Sequence, residues 1–291
     1  LLSESSFHKA SYIKPRTLEE AIAVLGAGEA RILSGGTDFY PALGDRVVRD
    51  AVMDVSALRE LRGISIRAEE IRIGGLTTWS EVIRTPLPRC FDALKGAARE
   101  VGSVQIQNRG TVAGNLCNAS PAADGVPPLL ALDAEVELVS VAGVRRLPLA
   151  NFIVGNRKTQ RKPDELLTAV IVPRGLDNAV STFIKLGARR YLVISISMVA
   201  VIVYVEAARV SEARIAVGSC SAVAQRLRAL ERDLVGAAVE PSFRDGLGAL
   251  VKPGHLAPLS PIADVRATAE YRMDVSLHLV QRALNSCVEN V

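Results

Sequence analysis

The chain has 291 residues, about twice a typical domain of roughly 150, so it is long enough for more than one hydrophobic core. Its 49% hydrophobic and 23% charged residues are globular values, which exclude a disordered, collagen-like or coiled-coil chain. With 35 basic and 31 acidic residues the formal charge is only +4 and no long Lys/Arg block is present, so nothing points to a nucleic-acid partner.

In chain order, Thr17-Leu18-Glu19-Glu20 reads as a capping box, and Leu18, Ala21, Ile22 and Leu25 follow at helical spacing until Gly26 and Gly28 end the helix. Ala30 to Ser34 predicts a short strand running into Gly35-Gly36-Thr37-Asp38, after which Phe39 to Leu43 can open a helix. Ala51 to Val55 and Ile71 to Ile73 predict further strands, and Thr78-Trp79-Ser80-Glu81 is a second capping box. An alanine-rich helix over Asp92 to Val101 leads into a long polar stretch, Gly102 to Asp124, which reads as a functional loop. Pro127-Pro128 starts a short helix to Leu132. Val136, Leu138 and Val141 alternate with polar residues, Ala142-Gly143 turns the strand back through Leu149, and Leu166 to Val172 predicts another strand.

The pattern breaks at Pro173 to Asn178, which places a domain boundary there. Beyond it, strand-like runs over Thr182 to Leu186, Ile194 to Val205 and Ala213 to Val217 precede helical patterns over Val223 to Leu234, Pro241 to Leu250 and Ala263 to Val288. Strands followed by helices predict an α+β second domain.

Cys90, Cys117, Cys220 and Cys287 are widely separated and lack the close pairing that zinc or iron–sulfur sites use, so any cluster belongs on another chain and no metal site is expected. Leu1 to Lys9 has no signal-peptide pattern, and the longest apolar run, Ile194 to Val205, falls short of the roughly 20 residues of a membrane span. The expectation is a cytoplasmic protein without a membrane span. His8, His255 and His278 are scattered, and Gly218-Ser219-Cys220-Ser221 lacks the second glycine of a nucleophile elbow, so no catalytic constellation is expected.

Two glycine-centred turns carry the chemistry, Ser34-Gly35-Gly36-Thr37-Asp38 and Thr111-Val112-Ala113-Gly114-Asn115. Glycine lets the backbone approach an anion, and successive peptide N–H groups form a cradle for phosphate oxygens. One such turn is merely a tight loop; two suit a pyrophosphate. Thr37, Thr111 and Asn115 add side-chain hydrogen bonds, and Asp124 can accept from ribose hydroxyls. Neither turn is a GxGxxG or a GxxxxGK[ST], so the Rossmann and P-loop fingerprints are missing. Trp79 and Tyr40 read as packing residues rather than members of the site.

Taken with Gln105-Ile106-Gln107-Asn108-Arg109-Gly110, Asn118-Ala119-Ser120-Pro121-Ala122-Ala123-Asp124, Arg157-Lys158-Thr159, Glu165-Leu166-Leu167, Tyr271-Arg272 and Arg282-Ala283-Leu284, these turns resemble the FAD-binding medium subunit of molybdenum hydroxylases, the xanthine dehydrogenase and carbon monoxide dehydrogenase family. The likeness runs from about Phe7 to the C-terminus. It implies an α+β fold of PCMH type: a two-lobed FAD-binding domain over 1–176, with α/β lobes at roughly 1–56 and 57–176, then a smaller C-terminal domain over 177–291 with antiparallel sheet and helices. It implies FAD between them, with Leu33, Ser34, Gly35, Gly36, Thr37, Asp38 and Phe39 of the first turn and Thr111, Gly114 and Asn115 of the second holding the pyrophosphate. Asp124 lies on the ribose side, and Leu167 and Lys185 lie near the isoalloxazine ring, where a cation stabilises the negative charge of reduced flavin. The bland alternative for Lys185 is an exposed strand lysine.

The implied function is a flavoprotein subunit that passes electrons from 2Fe–2S clusters on a small partner subunit to NAD, a quinone, oxygen or another small-molecule acceptor. A large molybdenum-pterin subunit oxidises the substrate. Two departures from the family pattern stand out: Tyr191-Leu192-Val193-Ile194 replaces a loop that is acidic in many relatives, and Ala113 replaces a glycine. The first also permits the alternative of a scaffold or nucleotide-binding subunit that has lost its flavin.

Overall fold

The computed structural model describes residues 11–28, 30–239 and 246–289. Phe7, His8 and the rest of the N-terminal stretch lie outside the described residues.

The N-terminal part forms β1 (Tyr12–Ile13), α1 (Leu18–Ala27), β2 (Arg31–Leu33), α2 (Phe39–Leu43) and β3 (Val52–Asp54), with the strands in a parallel sheet of order β1-β3-β2. Ala21, Ile22 and Leu25 on one face of α1 pack with Met53, Val55, Leu58 and Leu61. The Thr17 hydroxyl accepts from the Glu20 N–H at 3.2 Å, but the Glu20 carboxylate accepts from Arg16 N at 2.7 Å rather than from Thr17, so only half of the expected capping box forms. The helix also runs through Gly26 and stops at Gly28.

A second unit begins with β4 (Ile64–Ile66) and β5 (Glu70–Gly74), then carries α3 (Trp79–Arg84), α4 (Asp92–Glu100), α5 (Val104–Gln107), α6 (Val112–Asn118) and α7 (Val126–Ala131). It finishes with β6 (Glu135–Ser140), β7 (Gly143–Pro148), α8 (Leu149–Phe152), the hairpin β8 (Ile153–Gly155) and β9 (Lys158–Thr159), and β10 (Leu166–Pro173). Its antiparallel sheet has the order β4-β5-β10-β6-β7, so β10 is a buried central strand and reads as a continuous apolar run. The Thr78 to Glu81 capping box forms in full.

The expected loop over Gly102 to Asp124 instead contains α5 and α6. Both are too short to display a helical hydrophobic period, and each is started by a hydroxyl cap: Ser103 accepts from Ile106 N, and Thr111 from Gly114 N at 3.1 Å.

The C-terminal unit is the antiparallel sheet β11 (Val180–Leu186), β12 (Ser197–Glu206), β13 (Arg209–Gly218) and β14 (Gln225–Arg226), with α9 (Arg228–Leu234) and α10 (Ala269–Val288). One face of this sheet, with Ala200, Ile202 and Ala216, joins the core of the second unit beside Leu94 and Leu129. The other, with Val199, Val201 and Ile215, packs on Leu230, Leu279, Val280 and Leu284 of the two helices. Burial on both faces explains the long apolar run in β12. The strand starts at Ser197 rather than Ile194, α9 at Arg228 rather than Val223, and α10 at Ala269 behind the Thr268 cap. Of the helix expected over Pro241 to Leu250, residues 241–245 lie outside the described residues and Leu247–Leu250 is a single 3-10 turn.

Candidate functional site

The fold brings the two glycine turns into contact although they are far apart in sequence. Ser34 Oγ and Thr111 Oγ1 are 2.9 Å apart and share a hydrogen bond. Gly35 faces the backbone that leads into the second turn: a Cβ there would overlap the Arg109 carbonyl oxygen and lie 3.0 Å from the Gly110 Cα. Gly36 has φ +77°, a conformation that favours glycine, and Tyr40 Cε2 lies where its Cβ would approach to 2.8 Å.

The turns differ in what they offer. Among the described residues, none accepts a hydrogen bond from the N–H groups of Gly35, Gly36, Thr37 or Asp38, so the first turn presents a row of free donors. In the second turn the N–H groups are already used: Val112 N donates to Thr77 O, Ala113 N to Gly75 O, Gly114 N to Thr111 Oγ1 and Asn115 N to Thr111 O. The expected second backbone cradle is therefore the first turn of α6, and its contribution is side-chain chemistry. Asn115 Oδ1 is buried without a hydrogen-bond partner. Ala113 is helical and outside the positive-φ residues, so an alanine costs no strain at this position.

Asn115 and Asp124 open into a cleft of about 340 Å³ whose walls include Val101, Ile106, Leu192, Val193 and Ile194. Asp124 binds across to the C-terminal sheet: its Oδ2 lies 2.6 Å from Lys185 Nζ, its Oδ1 accepts from Ser195 Oγ at 2.6 Å, and Lys185 also donates to Glu100 O at 3.3 Å. The side chains of Asp124 and Lys185 are only 8% and 6% exposed, which rules out an exposed strand lysine. Burial pushes the Asp124 carboxyl up, with the Lys185 charge and the Lys185 and Ser195 hydrogen bonds pulling the other way. Lys185 thus reaches the site with its charge already matched by Asp124.

Leu167 is a buried residue of β10 behind α6: a Cβ on Gly75 would lie 2.6 Å from the Leu167 carbonyl oxygen and 3.3 Å from the Ala113 Cβ. Leu33 is buried at the end of β2. Asp38 starts α2 without a side-chain cap bond, and the Phe39 ring carries the Arg31 guanidinium at 4.9 Å.

Trp79 is a core residue as expected, yet it lies under the candidate site, since a Cβ on Gly110 would come within 3.4 Å of its ring and one on Gly125 would overlap it. Ser195 carried no sequence signal. His255 supports a turn, accepting from Lys252 N at 3.0 Å and facing Asp233 at 3.1 Å, and Ser219 N donates to Pro121 O at 3.0 Å.

The residues present fit a flavin dinucleotide. Free N–H donors suit its pyrophosphate, close-packed glycines let the backbone reach it, the unpartnered Asn115 carbonyl suits a donor on the ligand, and the apolar cleft suits a planar ring.

Comparison with known proteins agrees. The family model described as the FAD binding domain in molybdopterin dehydrogenase matches residues 5–175, and that of the CO dehydrogenase flavoprotein C-terminal domain matches residues 182–287. The xanthine dehydrogenase FAD-binding subunit of Escherichia coli O157:H7 is 32% identical over 282 residues, 94% of this chain and 93% of that protein. The nicotinate dehydrogenase FAD-subunit of Eubacterium barkeri is 39% identical over 193 residues, which cover 64% of this chain and 65% of that protein. The crystal structure of quinoline 2-oxidoreductase from Pseudomonas putida 86 contains a chain that superposes with a TM-score of 0.87 at 26% identity, covering 98% of each. With two family models in tandem and a relative 32% identical over 93% of its length, the chain belongs to the FAD-binding medium subunits of the xanthine dehydrogenase and carbon monoxide dehydrogenase family.

Proposed function

We propose that this chain is the flavin-carrying, electron-transferring subunit of a cytoplasmic dehydrogenase complex, working beside a large molybdenum-pterin subunit and a small subunit with 2Fe–2S clusters. FAD held here would supply the redox chemistry that links the clusters of the small subunit to a small-molecule acceptor. The FAD-binding domain is assigned to 1–176, with lobes at roughly 1–56 and 57–176, and the C-terminal domain to 177–291.

The chain's own residues bind and enclose. The free N–H groups of Gly35 to Asp38 hold the pyrophosphate, with Leu33, Ser34 and Phe39 fixing the turn's two ends. Thr111 and Gly114 build the helical turn that aims Asn115 at the ligand, and Asp124 accepts from its sugar hydroxyls while paired with Lys185. Leu167 supports that turn from behind. Val101, Ile106 and the 192–194 segment exclude water from the ring. The observation that carries this reading is the contact of the two turns beside an unpartnered, buried Asn115 carbonyl.

The test is to purify the chain together with its partners from co-expression and to measure flavin, iron and molybdenum. All three are expected in a single species, with one FAD per copy of this chain. Loss of molybdenum and iron with FAD retained would confine the chain to flavin binding.

A further inference from the structure

One carboxylate ties down both ends of a loop. Lys185 and Ser195 flank the segment 186–194, whose feet are closed by a hydrogen bond from Ile196 N to Leu186 O at 2.7 Å. Lys185 Nζ takes Asp124 Oδ2 and Ser195 Oγ takes Asp124 Oδ1, each at 2.6 Å. The far foot is also held by the buried Arg272, whose Nη1 donates to Ile196 O at 2.6 Å. Between the feet the tip is set locally: Arg189 Nη2 donates to Leu192 O at 2.6 Å, Leu192 sits at φ +52°, and a Cβ on Gly187 would overlap the Val193 side chain. This arrangement places Leu192, Val193 and Ile194 in the wall of the cleft.

A carboxylate offers about four acceptor positions, and Lys185 with Ser195 uses one on each oxygen. An ammonium alone does not fix the carboxylate plane, because rotation about the last side-chain bond lets Nζ bridge both oxygens. A second donor on the other oxygen blocks that rotation. Ser195 is that donor, it is 2% exposed, and no other described side chain bonds Oδ1.

We infer, resting on the flavin reading above, that Ser195 is a positioning residue: its hydroxyl fixes the plane of the Asp124 carboxylate so that the remaining lone pairs face the sugar hydroxyls of FAD, and it anchors the 192–194 wall over the ring. Ser195 touches the ligand in neither role.

The test compares Ser195→Ala with Ser181→Ala in the full chain. Ser181 is another buried hydroxyl, on the C-terminal sheet, bonded to Arg89 O at 2.8 Å and Ala93 N at 2.9 Å and outside the lining of the cleft. FAD is titrated by quenching of Trp79 emission, and the visible bands of bound flavin are recorded. Ser195→Ala is expected to raise the FAD Kd about tenfold, the scale of one charge-assisted hydrogen bond, and to move the bands toward those of free FAD. Ser181→Ala is expected to lower Tm while leaving Kd within about twofold and the bands unmoved. Unchanged Kd and bands in Ser195→Ala, or an equal loss of FAD affinity in both variants, overturns the inference alone. A wild-type chain that takes up no FAD overturns the functional reading and carries the inference with it.

Discussion

Gly35 and Arg109 meet backbone to backbone, so closely that any side chain on Gly35 would collide with the Arg109 carbonyl group. The glycine turn is thereby seated on the loop that leads into Thr111. Gly35→Ala is expected to force the two apart, costing about 1–3 kcal/mol as overpacking does, and to abolish FAD uptake. Thermal melting and FAD titration of the same preparation check both effects.

Thr111 acts twice, capping α6 through Gly114 N and bonding Ser34 across the site. Thr111→Ala should cost about 1 kcal/mol for the lost cap, which for a chain of this size lowers Tm by roughly 2–4 °C. Thr111→Ser keeps the hydroxyl and should melt close to wild type. FAD affinity should follow the hydroxyl in the same order.

Removing one partner of a buried ion pair leaves the other charge without compensation. Lys185→Met should therefore destabilise the chain by about 3–5 kcal/mol, by urea unfolding. The double variant Asp124→Asn with Lys185→Met should regain most of that stability and still bind FAD poorly. Recovery of FAD binding in the double variant would remove the pair from the site.

Acid sensitivity has a local source in the first unit. Burial works to raise the Asp54 carboxyl, but donors from Tyr12, Ser56 and Lys14 outweigh it and hold the group at about 2, below its ordinary 3.8. Because the folded value is depressed, the unfolded chain binds more protons between the two values. The stabilisation is complete above the ordinary value and is lost as the pH falls toward about 2. Wild type should lose urea resistance between pH 5 and pH 2.5, and Asp54→Asn, weaker at pH 5, should lose less over that interval.

Legibility in the sequence followed physical cause. The turn at Gly35-Gly36 stood out because backbone contact and a positive φ both demand glycine. The run in β12 stood out because the strand is buried on both faces. By contrast, α5 and α6 were hidden, since helices of four and seven residues depend on caps rather than on a repeating apolar face. Asp124 was recognisable as a polar residue of the site, but its partners Lys185 and Ser195 lie 61 and 71 residues away, and only the docking of the C-terminal sheet brings them to it. The spacing also suggests a second backbone cradle at Thr111 to Asn115, where the loop over Gly75 to Thr77 and the Thr111 cap of α6 already take the N–H groups.

In the proposed function this chain holds FAD between its two turns and the cleft beside Asp124. The most direct measurement is the visible spectrum of the purified chain after incubation with FAD and removal of the excess, with mass spectrometry of the ligand released on denaturation. Flavin bands at near one equivalent and FAD as the released species are expected, with Trp79, the single tryptophan, quenched on binding. A chain that stays colourless, both alone and when co-expressed with its partner subunits, would contradict it.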